Sequence, residues 1–145
     1  MTPPRADQPP ILNDELPPAW LVLAARWHRL ALALWIVGVA STVTFSLLPK
    51  FAPPGEYGFD KLIHGATYAT LALLAHVAFA QRKNAVAAAL FMIPLGCAIE
   101  VAQAFVPGRY GDIWDAAANS FGALAGVALG VRFRRFVAAA VRDAD

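Results

Sequence analysis

Ten polar or ionisable residues in three short stretches of this chain have types and spacings that could do chemistry. Residues three, four, seven or eight apart share one face of an α-helix, and the main spacings within each stretch follow this rule. Carboxylates, cations, an imidazole and amides brought together can transfer protons, hold a charged head group or lock helices together. The candidate residues are Asp60, Lys61, His64 and Tyr68 in the first stretch, Glu100 and Gln103 in the second, and Arg109, Asp112, Asp115 and Asn119 in the third.

The formal charge of this set is negative. Lys61 and Arg109 face four carboxylates, which leaves −2 with His64 neutral. Like charges in a low dielectric resist ionising together, so the excess requires a raised carboxylate pKa, a protonated His64, or a cation from a ligand or metal. His64, Glu100 and Asp115 are the candidates for a catalytic role. Arg109 is expected to pair with one of the carboxylates, although a guanidinium also suits a phosphate head group.

The elements that carry these residues are four long apolar runs, residues 30–48, 62–80, 85–105 and 113–131. Each is long enough to cross a bilayer, which takes about 17–25 residues. The chain is 59% hydrophobic and only 15% charged. Its polar residues gather at one end of the runs, whereas a soluble bundle would show a polar stripe along each helix. The sequence therefore predicts an all-α membrane protein, a four-helix transmembrane bundle.

The flanking segments and the basic residues predict the organisation and orientation of this bundle. We expect residues 1–19 to form a disordered Pro-rich tail and residues 20–29 an interfacial pre-helix. Residues 30–132 form the four-helix domain, and residues 133–145 a basic-then-acidic C-terminal tail. Lys and Arg concentrate in both terminal flanks and in the link at 81–84, which predicts cytoplasmic termini. The candidate residues then face the outer side.

Small residues predict how the last helix packs. Gly122, Gly126 and Gly130 recur every four residues on the face that also carries the polar residues, a pattern that allows close helix approach. Packing inside the monomer is favoured over a homodimer face. Pro94 is expected to kink the third helix, because it cannot donate a hydrogen bond to the preceding turn. Cys97 is expected to be a buried packing residue.

Several function classes are not supported by the sequence. A net charge of +2 is too small to indicate a nucleic-acid partner. We expect no metal and no cofactor, because the chain has neither paired cysteines nor the His-x-x-x-His spacing of a zinc site. An oxygen-rich Mg²⁺ or Ca²⁺ site would have no motif behind it. No nucleophile motif is present, and Ser41 and Ser46 lie far from the polar stretches in sequence.

Two motifs resemble those of the VanZ-like family of bacterial membrane proteins, named for a protein linked to teicoplanin resistance. The stretches are Asp60-Lys61-x-x-His64-x-x-x-Tyr68 and Glu100-x-x-Gln103-x-Phe105-x-Pro107-Gly108-Arg109, the second continuing through Asp112 and Asp115 to Asn119-x-x-Gly122. The resemblance covers about residues 30–132. It implies a compact four-helix membrane domain in the bacterial inner membrane and the cell envelope, and it supplies no reaction. A role in antibiotic resistance rests only on analogy with the protein for which the family is named.

Three functions remain open at this point. The leading hypothesis is binding of an amphipathic envelope ligand, a lipid-linked cell-wall intermediate or a lipoglycopeptide antibiotic, in a polar pocket within the bilayer. The second is a small membrane enzyme, with Glu100 or Asp115 as base and His64 as proton partner, acting on an outer-leaflet lipid or lipid-linked sugar. The third is a structural or assembly subunit, in which the polar residues lock helices 2, 3 and 4 together. Apart from catalysis, His64 can also be a helix-end histidine bonded to Asp60. The sequence leaves the oligomeric state undetermined.

Overall fold

The computed structural model describes residues 19–49 and 58–142, and within them the backbone forms four α-helices and no strand. The helices are α1 (Ala19–Leu47), α2 (Phe59–Ala78), α3 (Arg82–Gln103) and α4 (Ile113–Arg142). The predicted all-α, four-helix architecture is confirmed. The predicted tail at 1–18 and residues 143–145 lie outside the described residues.

Local sequence sets where these helices begin and end. The short link Phe79–Gln81 joins α2 to α3 as an antiparallel hairpin. Gly58 precedes α2 with φ 75°, a left-handed conformation that suits glycine. The α3–α4 connection likewise contains Gly108 at φ 80°. These turns bring the start of α2, the ends of α1 and α3 and the start of α4 to one end of the bundle.

Three of the helices are long and apolar enough to cross a membrane: residues Arg26–Leu47, Arg82–Gln103 and Ile113–Ala140. The 20-residue α2 has a spanning length as well, but it carries Asp60, Lys61, His64 and His76. Its position in the bundle accounts for this polarity, because α2 packs against all three other helices. Its polar side chains therefore meet protein.

Two predicted flanks are continuous with the long helices. Residues 20–29, predicted as an interfacial pre-helix, form one helix with the rest of α1, and their interfacial location stays a prediction. Residues 133–142, expected as a tail, continue α4 as far as Arg142. No proline or glycine follows Gly130, and Arg and Ala favour helix, so nothing in the local sequence ends α4 earlier.

The closest helix pair is α2 and α4, and the three spaced glycines make it possible. A Cβ at Gly122 would lie 2.8 Å from the carbonyl carbon of Gly65, and one at Gly126 would lie 2.7 Å from the Cβ of Ala72. At Gly130 it would lie 2.9 Å from the Cβ of His76. The glycine face of α4 is thus used inside this chain, against α2, as its spacing predicts.

Two side chains of α1 bond to the backbone of α2. The Trp35 Nε1–H donates to the Leu71 carbonyl oxygen at 3.1 Å, and the indole meets Phe79 edge to face at 5.3 Å. The His28 Nδ1 lies 2.7 Å from the Val77 carbonyl oxygen. Among the described residues α1 packs on α2 and α3 but not on α4. One flank of α2 therefore remains open to a cavity at its polar end.

The prediction for Cys97 is wrong, because its side chain is exposed on α3. An apolar residue in a membrane helix can face lipid as readily as the protein core, so an apolar run does not distinguish the two. Pro94 lies inside α3 with an exposed side chain, and the helix continues past it to Gln103.

Candidate functional site

Lys61 is the centre of the polar end of the bundle. Its Nζ donates to Asp60 Oδ2 at 2.7 Å, to Asp112 Oδ2 at 2.9 Å and to Asp115 Oδ1 at 3.0 Å. We call these four residues the Lys61 cluster. Its ammonium uses all three donors on carboxylates and joins α2 to the start of α4. The side chain of Lys61 is about one-third exposed (34%), so these ion pairs are not fully desolvated.

Asp112 fixes the start of α4 as well as contacting Lys61. Its Oδ1 accepts the Trp114 N–H at 2.9 Å, and its carbonyl oxygen accepts the N–H groups of Asp115 and Ala116. This is the helix-capping role expected of an Asp or Asn at this position. The hydrogen bond from Lys61, followed by that from the Trp114 N–H, holds the pKa of Asp112 below its usual value.

Glu100 is buried in the last turns of α3, with only 6% of its surface exposed. Its Oε2 accepts the Asp112 N–H at 3.1 Å, whereas Oε1 is buried with no hydrogen-bond partner among the described residues. Gly111 makes this approach possible, because a Cβ there would run into the Glu100 backbone carbonyl. The α3–α4 connection is therefore folded directly onto Glu100.

His64 lies between the Lys61 cluster and Glu100. Its Nε2 is 3.6 Å from Asp115 Oδ2, beyond ordinary hydrogen-bond distance. A ring nitrogen of His64, a carboxylate oxygen of Glu100 and a carboxylate oxygen of Asp115 all lie within 4.8 Å of one another. Three helices thus deliver ionisable groups to one place, although these residues are far apart in sequence.

Arg109 does not make the predicted pair with a carboxylate. Its guanidinium donates to the carbonyl oxygens of Phe45 at 2.8 Å and Leu48 at 2.9 Å, at the end of α1. The last carbonyls of a helix lack partners within the helix and carry partial negative charge, so they compete for a nearby cation. Gln103 adds a second tie to the same helix end through its Nε2–H, which donates to the Ser46 carbonyl oxygen at 2.9 Å.

Tyr68 and Asn119 lie one turn deeper than His64 and Asp115. Both are almost completely buried, at 1% exposure each. Gly96 on α3 gives them room, since a Cβ there would lie 2.9 Å from the Tyr68 ring and 3.1 Å from the Asn119 Cβ. The amide nitrogen and oxygen of Asn119 have no hydrogen-bond partner among the described residues.

A cavity of about 430 Å³ adjoins these groups on the α1 side. Six of its ten lining residues were not among the predicted site residues, and four of these six lie on α1, which was not expected to contribute. The sequence did contain a signal for this contribution, because hydroxyl residues recur near the end of α1, at the depth of the other polar groups. Its lining residues are Ser41, Thr42, Phe45 and Ser46 of α1, Ile63, His64, Thr67 and Tyr68 of α2, with Gln103 and Arg109.

The polar end therefore has two parts. One is a set of bonded ion pairs around Lys61, which holds α2 and α4 together. The other is an open cavity whose lining combines hydroxyls and a guanidinium with apolar side chains such as Phe45 and Ile63. Only His64 belongs to both, since it faces Asp115 and lines the cavity.

Comparison with known proteins gives one match. The VanZ/LLP1 family model matches residues 19–134, which include α1, α2, α3, most of α4 and every candidate residue. No curated protein and no solved structure matches the chain.

Proposed function

Because the chain belongs to the VanZ/LLP1 family and has helices that can span a bilayer, we propose that it binds an amphipathic envelope molecule within the membrane. The ligand class is a lipid-linked cell-wall intermediate or a lipoglycopeptide antibiotic. Its site is the cavity between the ends of α1 and α2. The observation that carries this proposal is the mixed lining of that cavity.

The lining suits a ligand with one polar and one apolar part. Ser41, Ser46 and Thr67 offer hydroxyl groups, whereas Phe45 and Ile63 offer apolar surface. Small-molecule sites are mostly apolar, with a few placed polar groups that fix orientation. A cavity of about 430 Å³ falls within the range of about 300–1,000 Å³ typical of such sites, enough for a head group and the start of an acyl chain.

The charge of the lining favours an anionic or hydroxyl-rich head group. Arg109 is the one permanently charged residue that lines the cavity within the described residues, and no carboxylate lines it. Guanidinium groups suit phosphate oxygens, which can accept two parallel hydrogen bonds from one fork. The carboxylates are held nearby by Lys61 instead, so they do not oppose an anion in the cavity.

The proposed orientation places this cavity at the outer face of the bacterial inner membrane, with both termini cytoplasmic. Its support is the separation of basic residues from the acidic end. Arg82, Lys83, Arg132, Arg134 and Arg135 lie at or near the opposite ends of α3 and α4. Excess Lys and Arg is typical of cytoplasmic segments.

Binding to purified protein in detergent tests the proposal. The probe is a fluorescent lipid-linked cell-wall precursor, with a lipoglycopeptide as a second ligand. Ser41→Phe places a ring in the cavity and should weaken binding at least tenfold. Thr44→Phe is the matched control, because Thr44 is exposed on the same helix outside the cavity. It should bind as the wild type does.

Three results bear on the proposal. Loss of binding in Ser41→Phe with retention in Thr44→Phe supports it. Equal binding by both variants would mean that the cavity is not the site. If the wild-type chain binds neither probe while Lys61→Met lowers the folded yield, the polar end has a structural role instead.

A further inference from the structure

The polar end contains two sets of side chains with the donor atoms of a cation site. Asp60, Asp112 and Asp115 form one set, and His64, Glu100 and Asp115 form the other. The first set already has its cation, because the Lys61 ammonium lies 2.7–3.0 Å from all three carboxylates. Among the described residues, no side-chain cation bridges the three members of the second set.

Each residue of the second set has an atom that its other contacts do not use. Glu100 Oε2 accepts a hydrogen bond from the Asp112 N–H, while its buried Oε1 has no partner among the described residues. Asp115 Oδ1 accepts a hydrogen bond from Lys61. Its Oδ2 lies 3.6 Å from His64 Nε2, which is too far for a hydrogen bond. A buried carboxylate oxygen without a partner is costly, so such an atom calls for an explanation.

The negative charge of the carboxylates at this end is also not balanced by the cations bonded to them. The sequence suggested two cations for four carboxylates, but Arg109 is bonded to the carbonyls of α1. Lys61 is then the one cation bonded to these carboxylates within the described residues, and it pairs with Asp60, Asp112 and Asp115 but not with Glu100. Lys61 and the four carboxylates sum to −3 with His64 neutral. A divalent cation would remove most of this excess.

The distances are close to those of a metal site. Two donor atoms at about 2.1 Å from one ion are separated by about 3.0–3.4 Å for angles between 90° and 109°. His64 Nε2 and Asp115 Oδ2 are 3.6 Å apart, and the third donor lies within 4.8 Å of both. Side-chain rotations that move the donor atoms by roughly one ångström bring all three within coordination distance of one ion. The three donors come from α2, α3 and α4, so the backbone positions are fixed by the packed helices.

We infer that His64, Glu100 and Asp115 form a binding site for a divalent transition-metal ion. One imidazole and two carboxylates suit zinc or manganese better than calcium, which prefers oxygen ligands alone. Three protein ligands leave further coordination positions for water or for a ligand oxygen. Because His64 also lines the cavity, these positions lie beside it. The metal site does not depend on the proposed envelope ligand and is tested without it.

Equilibrium dialysis of the purified full chain in detergent, after treatment with a chelator, tests this inference. The probes are Zn²⁺ and Mn²⁺ alone, with Ca²⁺ in a parallel arm. The wild type should bind one Zn²⁺ or Mn²⁺ per chain at micromolar free metal. His64→Gln and Glu100→Gln should each weaken binding at least about 100-fold, because each removes a ligand. His28→Gln is the matched control, since His28 contacts the Val77 carbonyl on another part of α2, and it should bind as the wild type does.

A second measurement keeps the inference testable if a variant fails to fold. The wild-type chain has three histidines, and Zn²⁺ should shift the NMR signals of one labelled ring, that of His64. No bound ion in the wild type, no shifted ring, or full binding by both folded variants would overturn the inference.

Discussion

Gly122→Ala tests the packing that brings the site together. Gly122 faces Gly65 of α2, and a Cβ would lie 2.8 Å from the Gly65 carbonyl carbon and closer still to its oxygen. Ordinary Cβ contacts begin near 3.4 Å, so the two helices must separate by at least roughly 0.6 Å. The obstacle is backbone, which cannot rotate aside as a side chain can.

The expected loss is the difference between two opposing effects. Alanine favours helix over glycine by about 1 kcal/mol. Overpacking a tight contact costs about 1–3 kcal/mol, and a clash with rigid backbone belongs near the upper end of that range. The free energy of unfolding should therefore fall by about 2 kcal/mol. The separation also strains the 3.0 Å bond from Lys61 to Asp115, which lies two turns earlier on α4.

Unfolding in mixed detergent micelles with rising SDS, followed by circular dichroism, measures this loss. Ala125→Leu is the matched control, because Ala125 is exposed on the same helix and should change stability by less than about 0.5 kcal/mol. A Gly122→Ala protein as stable as the wild type, or more stable, would refute the reasoning. In that case the gain in helix propensity would be unopposed, and α2 and α4 would not be in contact at Gly122.

Three further substitutions test the polar end by the same unfolding measurement. Lys61→Met leaves three carboxylates without their ammonium and should lower stability by about 2–3 kcal/mol, with Lys61→Arg recovering part of the loss. Arg109→Ala removes two hydrogen bonds to the end of α1 and should cost about 1–3 kcal/mol, with faster hydrogen exchange confined to α1. Asp112→Ala removes a helix cap and should lower stability more than Asp112→Asn, which keeps the cap; equal losses would show that capping is unimportant there.

The meeting of the polar residues from α2, α3 and α4 could be predicted because spanning helices fix depth. Asp60, Glu100 and Asp115 sit near the same ends of consecutive antiparallel runs, so each had to reach the same side of the bundle. The face of α4 could be predicted in the same way. Gly122 and Asp115 share that face, and a glycine stripe is stable only where another helix covers it.

The partners of Arg109 and the face of α1 that lines the cavity could not be predicted. A guanidinium chooses among all nearby acceptors, and the Phe45 and Leu48 carbonyls are backbone groups that no side-chain pattern reveals. Ser41 and Ser46 sit in an apolar run whose rotation about its own axis depends on how it docks against α2. That rotation follows from tertiary contacts such as the bond from Trp35 to Leu71, which has no motif. The length of α4 was missed because the apolar run 113–131 marks only its hydrophobic part, whereas arginine and alanine extend the helix to Arg142.

The ion pairs around Lys61 also set the order in which the site can be completed during synthesis. Lys61 leaves the ribosome with Asp60 beside it, but Asp115 follows 54 residues later. Until α4 is inserted and docked, Asp60 is the only one of its three carboxylate partners that Lys61 can reach. A chain that is cut short before α4 therefore leaves Lys61 without two of its three ion pairs.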